Sequence, residues 1–374
     1  MNTPRVSVII PSYNHVKYVA EAIQSVIDQT YQDFEIVITD DGSTDGTVAE
    51  IEKFNDPRIR LFTLDKNSGA GVASKNCVKE SRGEYLAMLS SDDIFLPEKL
   101  EKQVRFLDEH PDIWAVFGYA QIIDDEGNNI EDESNYYTTV FRQPNRTRFE
   151  WLNHFFYKGN CLCHPSVLAR REVYTELGPP DPRYAQLGDY YRWIRTCLKH
   201  EIYILPENLI KFRAHAGGVN ASGNRLVVRT RGSFEFTRIL RHYLEIDSVN
   251  ELLKIFPDAA KYGEPEKDII PYFIARLAID NGISPPLAQV FGINVIYEIL
   301  GDEKMATILE KRCGFTYSKF IELTGGHDYF NIEAKDKLTS KEGELAAVQN
   351  DLEAILNSRS WKIINHLKRV KSLI

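Results

Sequence analysis

Long apolar runs are missing from this 374-residue chain: none approaches the roughly 20 residues that span a bilayer, and the stretch near the start is too short for a signal peptide. A cytoplasmic protein is expected. Cysteine is scarce, and the irregular spacing of Cys77, Cys161, Cys163, Cys197 and Cys313 excludes a disulfide framework, while Cys161-Leu-Cys163 has no second pair to complete a zinc ribbon. These are read as reduced thiols. Positive charge is in deficit, with 45 Lys and Arg against 54 Asp and Glu for a net −9, which argues against a chain dedicated to nucleic acid. Neither G-x-G-x-x-G nor G-x-x-x-x-G-K follows a strand, so no glycine-rich loop can cradle a diphosphate directly. An anionic ligand needs other help.

What is present is an ordinary globular mix, 43% hydrophobic and 26% charged, in a length that predicts about two domains. Over the first 120 residues short apolar strands alternate with helix-period segments. Strands are expected at 6–10, 34–39, 58–62 and 85–89, helices at 18–29, 46–54 and 70–80, then a helix from Pro97 to about 109 and a strand at 114–117. This βαβ pattern implies a mostly parallel sheet with ligands at the carboxyl ends of its strands. A hairpin around 124–127 follows, then a polar, aromatic loop through Tyr136, Tyr137 and Arg142 to Arg148, long enough to act as a substrate lid. Residues 187–199 read as a helix, 202–213 as a strand or a hairpin broken by Pro206, and the chain is helical from about 225.

Two acidic clusters fall at strand ends: Asp40-Asp41-Gly42-Ser43-Thr44-Asp45 after the second strand and Ser90-Ser91-Asp92-Asp93 after the fourth. Asp and Ser are common turn and cap residues, which is the plain reading for Asp45. Two Asp pairs at one sheet edge point instead to a shared site. A carboxylate cannot bind phosphate but accepts a hydrogen bond from a ring N–H such as uracil N3–H, so Asp41, with Asp40, is a candidate base reader. Asp92 and Asp93 offer hard oxygen ligands for Mn2+ or Mg2+, which would bridge to a diphosphate.

These residues resemble glycosyltransferase family 2. Val6-Ser-Val-Ile-Ile-Pro-Ser-Tyr-Asn14, Asp40-Asp-Gly-Ser-Thr-Asp45, Asn67-x-Gly69 with Lys75-Asn76, and Ser90-Ser-Asp-Asp93 occur in that family's order and spacing. The resemblance covers about residues 5–215. It implies an α/β GT-A fold, a Rossmann-like nucleotide-binding mixed sheet flanked by helices, with a nucleotide-sugar donor, most often a UDP-hexose or UDP-N-acetylhexosamine, and an inverting mechanism. By the same resemblance Pro11, Tyr13 and Asp41 take the nucleoside-binding positions and Lys75 the basic position of the family's Arg-Asn pair. Asp92 and Asp93 match its metal-dependent acidic motif, with Asp93 the direct ligand, although Ser90 replaces the usual first acid. Asp189, in Gly188-Asp-Tyr-Tyr-Arg-Trp193, resembles the general base, with a helix N-cap as its plain alternative. His215 resembles a metal or diphosphate contact, Gly217, Gly218 and Asn220 a mobile closing loop, and His164-Pro-Ser166 the strand lining the acceptor cleft. Trp151, Tyr157 and Trp193 are candidate sugar-stacking surfaces or core residues.

The implied division is a catalytic domain at 1–222, a helical domain at 223–332, and a heptad-like helix with a basic tail at 333–374. Leu338, Leu345, Val348, Leu352 and Ile355 fall at heptad-like intervals that could form a homo-oligomer, though Lys341 and Gly343 interrupt them. In the tail Ile363, Ile364, Leu367, Val370 and Ile374 share one face, with Lys362, Lys368 and Arg369 mostly off it and Lys371 blurring the pattern. Such a helix suits an anionic membrane surface or packs on protein. Its Ser-x-Ser-Trp-Lys segment resembles tails of bacterial cell-surface polysaccharide glycosyltransferases, which implies a lipid-linked glycan acceptor. Two rivals are a non-catalytic nucleotide-sugar-binding scaffold and a sugar nucleotidyltransferase, the latter disfavoured because its triphosphate loop is missing.

Overall fold

The computed structural model describes residues 3–218, 220, 223 and 225–363. Among them one mixed sheet holds β1 (Val6–Ser12), β2 (Phe34–Asp40), β3 (Ile59–Thr63), β4 (Tyr85–Met88), β5 (Ile94–Phe95), β6 (Ile113–Ile123), β7 (Leu168–Arg170) and β8 (Glu201–Arg213), in the order β3-β2-β1-β4-β7-β6-β8-β5. Every residue of β2 is buried, and so is all of β1 except Pro11. Helices cover both faces of such strands, which is why they read as unbroken apolar runs. β1 pairs in parallel with β2 and β4. β7 runs antiparallel between β4 and β6, while β6 and β8 are parallel. Two reversals cancel. β1, β4, β6 and β8 therefore point the same way, and their C-terminal ends meet at one edge.

The expected strands and helices of the first 120 residues are present within a few residues. The short β5 and β7 were not anticipated, because strands of two and three residues carry no readable period. Pro206 does not split β8. Gly118 pairs with Leu205 and Tyr119 with Asn208, so Pro206 and Glu207 bulge out where a missing N–H costs nothing. The expected lid loop is partly helical, with a short helix at Tyr136–Val140. The next helix, Arg148–Lys158, opens on a capping box between Thr147 and Glu150.

The chain divides into two compact units, 1–316 and 317–374. The first joins the sheet to the helices Leu226–Ile239, Ile270–Asn281 and Pro285–Leu300, the last of which starts on the proline pair. In the second, the heptad positions Leu338, Leu345, Val348, Leu352 and Ile355 are exposed along the helix Ile332–Asn357. The tail positions Ile364, Leu367, Lys368, Arg369, Val370, Lys371 and Ile374 lie outside the described residues. No helix among the described residues is long and apolar enough to cross a membrane.

Candidate active site

The loops after β1 and β2 brace each other. Asn14, at φ +52°, accepts the Thr44 N–H at 2.9 Å and its own N–H goes to Ser43 Oγ at 2.8 Å. Asp45 accepts the N–H groups of Val16 and Thr47, each at 3.0 Å, so it is a turn residue as its plain reading had it. Asp40 is also spent locally, on the N–H and hydroxyl of Ser43 at 2.7 and 2.6 Å. Asp41 differs. Gly42, at φ +73°, lets the 66–69 loop approach so closely that a Cβ there would sit 2.6 Å from the Lys66 carbonyl carbon. That approach puts the Ser68 and Gly69 N–H groups on the two oxygens of Asp41 at 2.7 and 2.8 Å. Asp41, Pro11 and Tyr13 line a cleft of about 1620 Å³. Lys75 projects from the helix Ala70–Glu80 into solvent and does not line it.

Further along the same edge, β4, β6 and β8 end on a charged cluster. His215 Nε2 lies 2.9 Å from Asp92 Oδ2 and its Nδ1 lies 2.5 Å from Asp125 Oδ1. The hydrogen bond to Asp92, and then that to Asp125, raise the imidazole pKa from 6.5 to about 8 against the opposing effect of burial. His15, fixed by its Nδ1 at 2.8 Å from Ser91 Oγ, joins them: ligand atoms of His15, Asp92 and His215 all lie within 4.8 Å of one another. Asp93 is buried beside this cluster. One of its oxygens accepts the Arg213 N–H at 2.8 Å and the other has no partner. Burial, then the charge of Asp92, push its carboxyl well above the usual carboxylate range.

Buried Arg213 ties the cluster together. Its guanidinium donates to the carbonyls of Asp92 and Asp124 at 2.9 and 2.8 Å and to Glu21 at 2.7 Å. Asn220 clamps the end of β8, accepting the His215 N–H at 2.9 Å and donating to the Arg213 carbonyl at 2.8 Å.

Asp189 enters the same cleft from the first turn of the helix Gly188–Cys197. Leu187, not Asp189, holds the N-cap position, so the capping alternative does not account for it. Asn160 Nδ2 donates to its Oδ2 at 2.7 Å and the Tyr190 N–H to its Oδ1 at 2.7 Å. His164, half-buried at the cleft wall, has a buried and unpartnered Nδ1. The approach to this helix is held by Glu235, which is 2% exposed and accepts the N–H groups of Ala185, Gln186 and Leu187 at 2.7–3.1 Å. Trp151 and Trp193 are fully buried, which makes them core and removes them as sugar platforms.

The structure thus brings Asp41, Asp92, His215 and Asp189 to one cleft and adds His15, Asp125, Arg213, Asn160 and Glu235, which the sequence reading did not assign to the site. His15 had a readable signal, since it follows the Tyr13-Asn14 pair at a strand end. Glu235 had none.

The family model for Glycosyl transferase family 2 matches residues 7–178. An uncharacterized glycosyltransferase of Methanocaldococcus jannaschii is 32% identical over 218 residues, which are 57% of this chain and 72% of that one. A Bacillus subtilis glycosyltransferase named for teichuronic acid biosynthesis is 40% identical over 124 residues, 33% of this chain and 49% of its own length. Among solved structures, S. aureus TarS 1-349 in complex with UDP-GlcNAc superposes with a TM-score of 0.54 at 19% identity, over 81% of this chain and 83% of that one. The fold is GT-A.

Proposed function

The chain belongs to glycosyltransferase family 2, and on that premise we propose that it transfers a sugar from a UDP-sugar to a hydroxyl of a glycan acceptor with inversion at the anomeric carbon. The observation that carries this reading is one cleft lined at once by Asp41, the Asp92–His215 pair and Asp189. A UDP-sugar is favoured because TarS binds UDP-GlcNAc, and Asp41 is a carboxylate placed to accept a ring N–H. A hexose or N-acetylhexosamine is the expected sugar.

Asp189 serves as the general base in this reading. Its carboxylate takes the acceptor hydroxyl's proton as that oxygen forms its bond to the anomeric carbon, while the bond from that carbon to the diphosphate breaks on the opposite face. Asn160 and the Tyr190 N–H hold the carboxylate in place. Asp92, His215 and His15 would hold a divalent cation, and Asp93, the ligand expected from the sequence, stands beside them with an oxygen to spare. Two imidazoles with a carboxylate suit manganese better than magnesium, which prefers oxygen ligands. When bound, such an ion neutralises charge on the leaving diphosphate. Asp125 keeps the His215 Nδ1–H, leaving Nε2 to face Asp92.

The test is UDP release from each common UDP-hexose and UDP-N-acetylhexosamine, with and without manganese. Release without added acceptor, and faster release with a glycan acceptor, is the expected result. No release from any of these donors, with or without manganese and acceptor, would overturn the reading.

A further inference from the structure

A second cavity, of about 800 Å³, lies beside the helix Arg148–Lys158, and its charge runs against that of the chain. Arg146, Lys158, Lys254 and Lys261 line it against two acids, Glu150 and Asp258. Glu150 is already engaged, accepting the N–H and hydroxyl of Thr147 at 2.8 and 2.9 Å. Among the described residues no carboxylate lies within ion-pair distance of Lys158, Lys254 or Lys261. Lys254 and Lys261 sit instead over the rings of Phe149 and Tyr262, at 5.1 and 4.8 Å, contacts that hold a cation without cancelling its charge. The local field also acts on His154, whose pKa falls to about 4 through burial and then through Arg146 and Lys158. The groove is therefore a local excess of positive charge in a protein whose net charge is −9.

The groove adjoins the cleft. Lys158 lines the groove, and the next two residues, Gly159 and Asn160, line the cleft, where Asn160 donates to Asp189. Two residues of chain span at most about 7 Å. Asn281 and Ile283 repeat the arrangement, one lining the groove and one the cleft. Tyr157 lines the groove among the cations, so an aromatic ring stands where a sugar ring could pack and charges stand where its substituent would lie.

We propose that this groove is an acceptor subsite for an anionic group, a phosphate or a carboxylate, carried by a neighbouring unit of the glycan whose hydroxyl reacts at Asp189. The inference rests on the transferase reading and names the acceptor class that reading leaves open. An acceptor of this kind is held at two points, its hydroxyl at Asp189 and its charge at the lysines.

The test uses the 374-residue chain and three fluorescein-labelled hexamers, one of glycerol phosphate, one of galacturonate and one neutral, maltohexaose. Wild type is expected to bind at least one anionic hexamer about tenfold more tightly than maltohexaose, with the preference lost in Lys158→Ala/Lys254→Ala/Lys261→Ala. Added salt should weaken the same binding. Preference for the phosphate or the carboxylate hexamer identifies the group. Equal binding of all three by wild type overturns the proposal, and so does unchanged anion preference in the triple variant. Loss in that variant of binding to phosphatidylglycerol vesicles, with hexamer binding intact, overturns it in favour of a membrane surface. The three lysines are exposed, and an unchanged melting curve confirms that the variant folds. UDP release by wild type tests the transferase reading separately, so failure of one does not imply failure of the other.

Discussion

Glu235 offers the sharpest test of how the helical segment serves the cleft. It sits on the helix Leu226–Ile239, far in sequence from the acidic motifs, and receives the Leu187 N–H on Oε2 at 2.7 Å and the Ala185 N–H on Oε1 at 2.9 Å, with Gln186 shared between them. Those N–H groups immediately precede the helix that carries Asp189, where a helix leaves donors without partners and favours a negative charge. Glu235→Gln keeps the shape and removes one acceptor oxygen. The new amide N–H₂ then faces one of these N–H groups, donor against donor, in a buried place.

An unpaired buried donor costs about 1–3 kcal/mol, and the lost charge at the helix N-terminus adds up to about 1–2. The expected loss is therefore about 2–4 kcal/mol of stability in urea unfolding. It should fall on turnover as well, because Leu187 lies two residues before Asp189, while affinity for the UDP-sugar, which the proposed function places at the Asp41 side of the cleft, should stay near wild type. The informative pattern is a reduced kcat with a donor KM that does not move. Wild-type stability together with wild-type kcat in Glu235→Gln would refute the reasoning, and a raised donor KM with normal kcat would relocate the effect to the wrong end of the cleft.

Asp189→Asn should lower transfer about 10²–10⁴-fold and leave UDP affinity by calorimetry unchanged; retained turnover would remove Asp189 as the base. Asp125→Asn should weaken manganese binding about 10–100-fold in a direct titration without substrate, since it withdraws the carboxylate that orients His215, and equal affinity would reject that role. Glu35 supplies a pH prediction. Burial raises its pKa, but hydrogen bonds from Arg82 and Ser7 outweigh that and hold it below the ordinary value. A depressed folded pKa stabilises above the unfolded value of about 4.3, and the contribution fades as pH falls through the folded value. Glu35→Gln should therefore lose stability at neutral pH and show a flatter acid limb than wild type, and parallel profiles would refute the assignment.

The parts of the fold that were legible in the sequence are those with a strong local period. β1 and β2 announce themselves as unbroken apolar runs, and Ala70–Glu80 falls where the pattern put it. β5 and β7 are too short to carry a period and exist through pairing, with β8 and with β4 and β6 respectively. The continuity of β8 through Pro206 was likewise set by its neighbour β6, not by local preference. The site divides in the same way. Acids at strand ends are visible because the strands are. Asp125 looks like a turn residue, and Glu235 like one more acid on an amphipathic helix, until the chain brings His215 and Leu187 to them.

Asp41, Asp92 and Asp93 lie at the same edge, yet their surroundings give them different chemistry, and the supply of N–H donors decides which. Each oxygen of Asp41 already accepts one backbone N–H, so the carboxylate is fixed in place, with room to take one more hydrogen bond in a defined direction. Asp93 receives one N–H and keeps one orphaned oxygen in a fully buried place, which raises its pKa and makes its anionic form costly unless a cation comes near. Asp92 finds its partner in an imidazole that a second carboxylate holds in orientation. Moving the donors would exchange the roles. A residue that blocked the approach of the 66–69 loop, as any side chain at Gly42 would, should strip Asp41 of both N–H groups and leave it a second under-satisfied acid at this edge. Gly42→Ala is thus expected to weaken UDP binding while leaving manganese affinity at Asp92 and His215 intact. A parallel loss of both would mean that the two ends of the edge are one mechanical unit and not two separately built sites.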